Sequence, residues 1–494
     1  MRRTLLITAL ALLVCAPATA VAKPRQSPRP AKAPKITQIG CLLRCAEGAP
    51  ITVQPGGKLQ IWGRGFKHGM VASFPRKSKV HGSKKRVTAL VRQRAGAYAV
   101  TVPLLARSGK FTVTVPGGTA SNPAGPVAIR KPAPVAKPPR SDRPSGSSPF
   151  DTNVMWLWYV SKSEGGNIGS IVARAKQNGI GTLIIKASDG GSPFIGQFTP
   201  QLVAAFHAQG IKVCGYSYVY GNSPAAEAAQ GAAVAQTGAD CLVIDAEGEY
   251  EGKYAAATTY IRDLRQAVGD SFPVAIAPFP YADFHQSFPY SVFLGPGGAQ
   301  YDLPQMYWKD IGDSVDAAFD HTYTWHRIYD RPIYPLGQTY SSPSANDIVR
   351  FRQLAQAYGA GGISWWDWQE TGASQWAAVG QALPPLSGFA PTNNWPALKQ
   401  GSSGDAVVWL QMHLLAAGQP VTVSGRFDVA TANGVRALQT SAGLPVTGVT
   451  DQGTWAKALN YTPTAVDWTQ QAKPARVASY ARAAPDDKIS ARPH

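Results

Sequence analysis

Short apolar runs alternate with amphipathic, Ala-rich stretches through the middle of the chain. The apolar runs at 154–159, 182–187, 212–218, 241–246, 273–278, 303–308, 332–336 and 362–367 read as strands. Apolar spacing at 169–177, 224–236, 254–268 and 345–358 reads as helix between them. Strands this continuously apolar suit a parallel sheet covered on both faces. Eight such units within 150–385 predict an α/β domain of the (β/α)8 TIM-barrel class. A doubly wound open sheet competes, but the Gly-rich turn expected after its first strand is missing.

The pattern changes on either side. At 35–130 the runs around Ile61, Val87–Val91, Ala97–Val102 and Lys110–Val115 are short, β-type and punctuated by Gly, which predicts a β-sandwich. At 393–459, Val407, Leu410 and Leu414, then Val435 and Leu438, recur at helical spacing and predict a small three-helix domain. Between the modules, 23–34 and 131–149 are Pro- and charge-rich spacers. The second would reach about 60 Å at about 3.1 Å per residue. Residues 460–494 are polar and aperiodic, and are expected to be disordered.

Residues 1–22 carry Arg2 and Arg3, an apolar stretch at 5–14 and small residues up to Ala22, the pattern of a cleaved signal peptide. The apolar part is too short to span a bilayer, so no transmembrane anchor is expected and the protein is placed outside the cell or at its wall. Twin arginines hint at Tat export, and Cys15 faintly at lipidation. In an exported chain Cys41 and Cys45 can pair. Cys214 and Cys241, in neighbouring apolar segments without a C-x-x-C spacing, read as separate buried small residues.

The net charge of +19 is uneven. Residues 1–149 hold 26 Lys and Arg against two acids, Glu47 and Asp142, and the rest holds 22 against 27. A uniformly basic nucleic-acid binder is thereby excluded. The strip Arg76, Lys77, Lys79, Lys84, Lys85 and Arg86 marks the first module as a place for an anionic wall polymer, or simply as a solvated loop.

Family resemblances add to this reading. The stretch from Gly56, GGKLQIWGRGFKHGMVASF, and the later SGKFTVTVPGGTASNPAGPVAI resemble the opening and closing strands of bacterial immunoglobulin-like TIG domains. The C-terminal module resembles the peptidoglycan-binding domain type 1 family through Gly401, Gly404, Val407, Leu410-Gln411, Gly425, Phe427, Thr431, Val435, Leu438-Gln439, Gly443-Leu444, Gly448, Gly453-Thr454-Trp455 and Leu459. Leu438 stands where that family commonly has an aromatic. The resemblance implies a non-catalytic module that holds cell-wall material. Leu410, Leu414, Leu438 and Trp455 are expected to form its core.

In a barrel, working side chains project from the C-terminal strand ends. Those ends supply Trp158, Asp189, Tyr218, Asp245, Glu247, Gln305, Tyr307, Trp366 and Asp367. Indoles and phenols stack on sugar rings, while carboxyls protonate a leaving oxygen and stabilise an oxocarbenium-like transition state. Asp245 and Glu247 at i, i+2 fall on one face of a strand, with Cα atoms about 6.6 Å apart. The run on to Glu249 and Glu251 is also compatible with an acidic solvated loop. The segment DCLVIDAE, 240–247, resembles the strand-four signature of chitinase-like glycoside hydrolase family 18, and the Asp-x-Glu pair of family 25 muramidases.

By position that resemblance implies Glu247 as general acid, and Asp245 as the residue that orients an N-acetyl group or stabilises positive charge. Tyr307 would bond the same region and Trp366 would floor the sugar subsite. Asp367, Trp158, Gln305, Asp189 and Tyr218 complete the substrate-binding set. Val243 replaces the middle acid of the family 18 pattern.

The eight histidines form no H-E-x-x-H or H-x-H pair, so no metal and no cofactor is expected. His321 and His326 read as helix-surface residues. Gly215-Tyr-Ser217-Tyr-Val219 fails the G-x-S-x-G elbow. The expectation is a wall-associated glycoside hydrolase acting on peptidoglycan or another N-acetylated polysaccharide, with nucleic acid disfavoured as a partner. The alternative is a wall-binding scaffold with an inactive barrel.

Overall fold

The computed structural model describes residues 32–46, 51–76, 86–94, 97–103, 106–129 and 148–471. Residues 1–22, read above as a signal peptide, the loop from Lys77 to Lys85, most of both spacers and residues 472–494 lie outside them. The chain divides into two compact units, Met1–Lys131 and Pro132–His494.

The first unit holds seven strands: β1 Lys35–Ala46, β2 Thr52–Arg64, β3 Val71–Pro75, β4 Arg86–Arg94, β5 Ala97–Thr101, β6 Gly109–Thr114 and β7 Ala124–Ile129. Alternate residues point inward, so Leu59, Ile61, Phe74, Val91, Val100, Phe111 and Val113 share one core. The sandwich read from the sequence takes another form here. The strands run in one continuous order, β1-β2-β5-β4-β3-β6-β7, and β7 pairs back onto β2, which makes the sheet barrel-like. Strand alternation specifies an inner face but not whether a sheet splits or curls. Cys41 is disulfide-bonded, while the Cys45 side chain lies outside the described part.

The second unit begins with β8 Asn153–Leu157, α1 Ile168–Gln177, β9 Ile180–Asp189, the short β10 Ser192–Pro193, α2 Pro200–His207, β11 Lys212–Val219 and α3 Pro224–Gln236. It continues with β12 Cys241–Ala246, α4 Tyr254–Val268, β13 Val274–Ile276, α5 Tyr290–Phe293, β14 Tyr301–Asp302, α6 Trp308–Ile311 and α7 Val315–His326. β15 Leu336–Gln338, α8 Ala345–Ala357, β16 Ile363–Trp366 and α9 Ala373–Gly380 follow. The parallel order is β14-β13-β12-β11-β9-β8-β16-β15, and single bridges from Asp302 to Ile333 and from Gln305 to Leu336 join its two ends. Outward residues such as Leu183, Ile185, Val213, Leu242 and Ile244 meet the helices. Inward residues Val154, Trp156, Ile184, Cys214, Tyr216, Cys241 and Val243 fill the interior. Both faces are therefore apolar, which is why the strands show no polar alternation. Helix starts follow local capping: the Asn167, Thr199, Ser314 and Ser344 side chains accept first-turn amides.

Three expectations need correction. Cys214 and Cys241 form a disulfide, because β11 and β12 lie side by side with these two residues directly opposite. The sixth strand, read at 303–308, forms a ladder only at Tyr301–Asp302; beyond it the Leu303 and Gln305 amides donate singly to the Ile276 and Pro278 carbonyls, and Trp308 begins a helical turn. His326 is fully buried, bonded to Asp302 Oδ2 at 2.7 Å and to the Phe279 carbonyl at 3.1 Å.

Three helices form the C-terminal module: α10 Asp405–Ala416, α11 Val429–Ser441 and α12 Gln452–Ala458. Leu410, Leu414, Leu438 and Trp455 are buried together in its core. Gln411 shows why an amide is needed inside. Its Oε1 accepts the Ser424 and Gly425 amides while its Nε2 donates to the Arg426 carbonyl, holding the loop before α11. Gln439 repeats this with Gly448 and Val449 before α12.

The module packs on the barrel rather than trailing from it. Asp405 Oδ1 accepts from Tyr254 (2.8 Å) and the Ser291 hydroxyl (2.6 Å), and Oδ2 accepts from the Ser291 amide (2.8 Å) and Tyr329 (2.8 Å). Gly404 has φ +103°, and a Cβ there would lie 2.7 Å from Gln286. Trp468 is buried against Tyr254, so the disorder expected from residue 460 does not hold for 460–471.

Candidate active site

β12 carries Cys241, Val243 and Asp245 on its inner face, and the chain turns after Ala246 with Glu247 still directed inward. Asp245 and Glu247 are 5% and 2% exposed. Gln305, just past β14, joins them: its Nε2 lies 3.3 Å from Asp245 Oδ1, 3.0 Å from Glu247 Oε1 and 3.0 Å from the Ala277 carbonyl. One amide therefore holds both carboxyls toward the same point. Burial, and after it the charge of Glu247, hold the Asp245 carboxyl well above the usual carboxylate range, while Lys186 opposes the rise.

The other residues selected from sequence gather around this pair. Tyr307 is buried, with its phenol pushed up first by burial and then by Tyr340 and the carboxyls Asp245, Glu247 and Asp367. Asp367 is pushed up to about 7 by burial and by Glu370. Trp158 and Trp366 are half-buried, with centroids 6.1 Å apart. Tyr218 donates to Glu249 Oε2 at 3.0 Å. Asp189 takes Lys186 Nζ at 2.8 Å on one oxygen and Tyr220 at 2.8 Å on the other. Asp189 and Tyr218 thus bond to neighbours on the rim.

Sequence reading puts Lys186 at a strand end without giving it a role, and leaves out Trp156 and Tyr216. Trp156 and Tyr216 stand two residues before Trp158 and Tyr218 on the same strand faces, a signal available from strand period alone. Both rings touch Trp366, at 5.6 and 5.9 Å. Lys186, 1% exposed, sits 4.6 Å from the Phe194 ring and 5.8 Å from that of Trp158, a cation screened by aromatics. The Tyr216 hydroxyl, Trp158 Nε1 and Asp367 Oδ2 are buried without a hydrogen-bond partner among the described residues. Two donors and a carboxyl oxygen beside clustered indoles form a set that polyhydroxylated rings can satisfy.

Since Asp367 adjoins both Trp366 and Trp368, intrinsic tryptophan emission should titrate with a midpoint near pH 7. An Asp367→Asn variant is expected to lose that transition, measured by fluorescence from pH 5 to 9.

Residues 403–458 match the family described as a putative peptidoglycan binding domain. No curated protein matches the chain. Among solved structures the chain is similar to a chitinase from Chromobacterium violaceum: 13% identity, 46% of this chain, 97% of that one, TM-score 0.34. A class V chitinase from Pseudomonas fluorescens has 12% identity, 46% and 98% coverage and TM-score 0.37. The Bacillus cereus spore cortex-lytic enzyme SleL has 11% identity, 48% and 75% coverage and TM-score 0.35. Among the described residues no helix is long and apolar enough to cross a membrane.

Proposed function

We propose that the barrel is a glycoside hydrolase acting on an N-acetylated glycan, peptidoglycan by preference, at the wall of the cell that exports it. The observation that carries this is the Gln305 amide drawing Asp245 and Glu247 together beneath a tryptophan–tyrosine cluster. Glu247 protonates the glycosidic oxygen. Asp245 orients the N-acetyl group of the sugar at the bond and stabilises the positive charge that develops there, and Tyr307 bonds to the same acetamido group. Trp366 and Trp158 stack on the ring. The peptidoglycan-binding match at 403–458 supports the choice of glycan. The buried Cys214–Cys241 bond, like the signal-type N-terminus, supports export.

The pairing also bears on stereochemistry. With Asp245 orienting the acetamido group, its carbonyl oxygen attacks the anomeric carbon as the Glu247-protonated leaving group departs, and water then opens the cyclic intermediate from the face the leaving group vacated. Hydrolysis is therefore expected to proceed with retention. Proton NMR of the first-formed reducing ends, released from peptidoglycan or chitooligosaccharide, checks this. An inverted first product would exclude Asp245 and Glu247 as the working pair. Binding without any release of reducing ends would favour the scaffold reading, to which Val243, buried below Asp245 in place of an acid, lends weight.

A further inference from the structure

At the opposite end of the barrel from the two carboxyls, a groove of about 840 Å³ opens between the barrel and the C-terminal module. The residues leading into β15 and β16, Pro332, Ile333, Gly359 and Gly361, form its floor, so it lies at the N-terminal strand ends. One wall is Tyr323, Arg327 and Arg331, another is the connecting segment at Asn393 and Trp395, and the third is Ala456, Leu459 and Asn460 at the end of α12.

The polar groups on these walls are held in place. The Arg327 guanidinium lies 5.5 Å from the Trp395 ring. It donates to the Tyr323 carbonyl at 2.7 Å and to Asn393 Oδ1 at 2.6 Å, and that same oxygen takes Trp395 Nε1 at 3.1 Å. The Tyr323 hydroxyl is buried with no hydrogen-bond partner among the described residues. Because Asp405 fastens the module to the barrel, the groove is a composite of two domains rather than a gap between loose ones.

We propose that this groove is a second binding site, which takes a peptide-bearing disaccharide of the wall. Its ligand class rests on the proposed function, whereas its geometry does not. Three features fit that ligand. One wall belongs to, or directly follows, the stretch that matches a peptidoglycan-binding family. Arg327 and Arg331 outnumber the one lining acid, Asp330; Arg331 is anchored on the Leu294 and Gly295 carbonyls at 2.9 Å each, so the pair offers positive charge to the carboxylates of a stem peptide. An indole bonded to Asn393, with Asn460 on another wall of the groove, suits a pyranose bearing an acetamido group, and the volume lies within the range of ligand-sized clefts. The site would hold the strand being cut, or its neighbour, while the barrel mouth works elsewhere on the wall.

The test is calorimetric titration of the intact chain with a soluble N-acetylglucosaminyl-N-acetylmuramyl peptide, beside turnover of a peptide-free chitooligosaccharide. Ala456→Trp fills the groove from an exposed position on α12, and Trp395→Ala removes the stacking face. Both are expected to weaken peptide-disaccharide binding by about tenfold or more, with oligosaccharide turnover changed by less than about twofold. Unchanged affinity in Ala456→Trp would overturn the groove as a site, even if hydrolysis proceeds. Groove-dependent binding in a chain that releases no reducing ends would uphold the site and remove the hydrolase reading.

Discussion

Glu247→Gln is expected to lower hydrolysis of natural N-acetylated glycan by about 10²–10⁴-fold, the usual contribution of a general acid. The substitution is isosteric, and its carbonyl oxygen can still accept from Gln305, so binding and melting temperature should change little. The diagnostic is the leaving group. An aryl glycoside, whose phenolate departs with little protonation, should lose far less activity than an oligosaccharide. Asp245→Asn, by contrast, should slow both substrates alike, because Asp245 acts on the acetamido group and the developing charge rather than on the departing oxygen. Reducing-end release and chromophore release from the same preparations measure the two effects. Equal activity of Glu247→Gln and wild type on oligosaccharide would exclude Glu247 as the acid.

Asp405→Ala should uncouple the C-terminal module from the barrel. The carboxylate is fully buried and accepts four hydrogen bonds, from Tyr254, Tyr329 and twice from Ser291. Truncation leaves four donors facing a cavity, and the expected cost is about 3–5 kcal/mol of docking stability. Scanning calorimetry should then resolve two transitions, and the segment at 384–396 should become open to proteolysis.

Wild-type docking should also depend on pH. Burial pushes Asp405 up to about 6, against the opposing pull of Ser291, Tyr254 and Tyr329. A carboxyl whose folded pKa is raised lends stability that is complete below its ordinary value, and this is lost as pH rises through about 6. The difference is worth about 3 kcal/mol. Asp405→Asn, which cannot ionise, should flatten that dependence, as seen in melting temperature from pH 4 to 7.5.

Much of the barrel was legible because burial on both faces leaves an unbroken apolar run. The strand at Cys241–Ala246 and the helices Pro224–Gln236 and Tyr254–Val268 fall where spacing places them. So does the shared face of Asp245 and Glu247, since the strand period is two. The seventh strand, read at 332–336, is paired at Leu336–Gln338. Its apolar character comes from Tyr334 and its neighbours packing in the barrel floor, which periodicity cannot tell from pairing. Lys186 is legible as a residue at the end of the second strand, but its sequence context assigns it no role. Only the ring of aromatics around it makes it an interior cation.

By itself the sequence determined the modular order, the strand and helix alternation, and the choice of carboxyls and aromatics for one rim. These follow from spacing along a local stretch of chain. The tertiary structure alone decided which distant residues meet. Gln305 reaches Asp245 across 60 positions. Cys214 bonds Cys241, His326 turns inward to Asp302, and Asp405 of the last module ends inside a pocket of barrel hydroxyls. Sheet closure and module docking set those contacts, and both depend on the sum of packing over the whole unit. No short window of residues carries that sum.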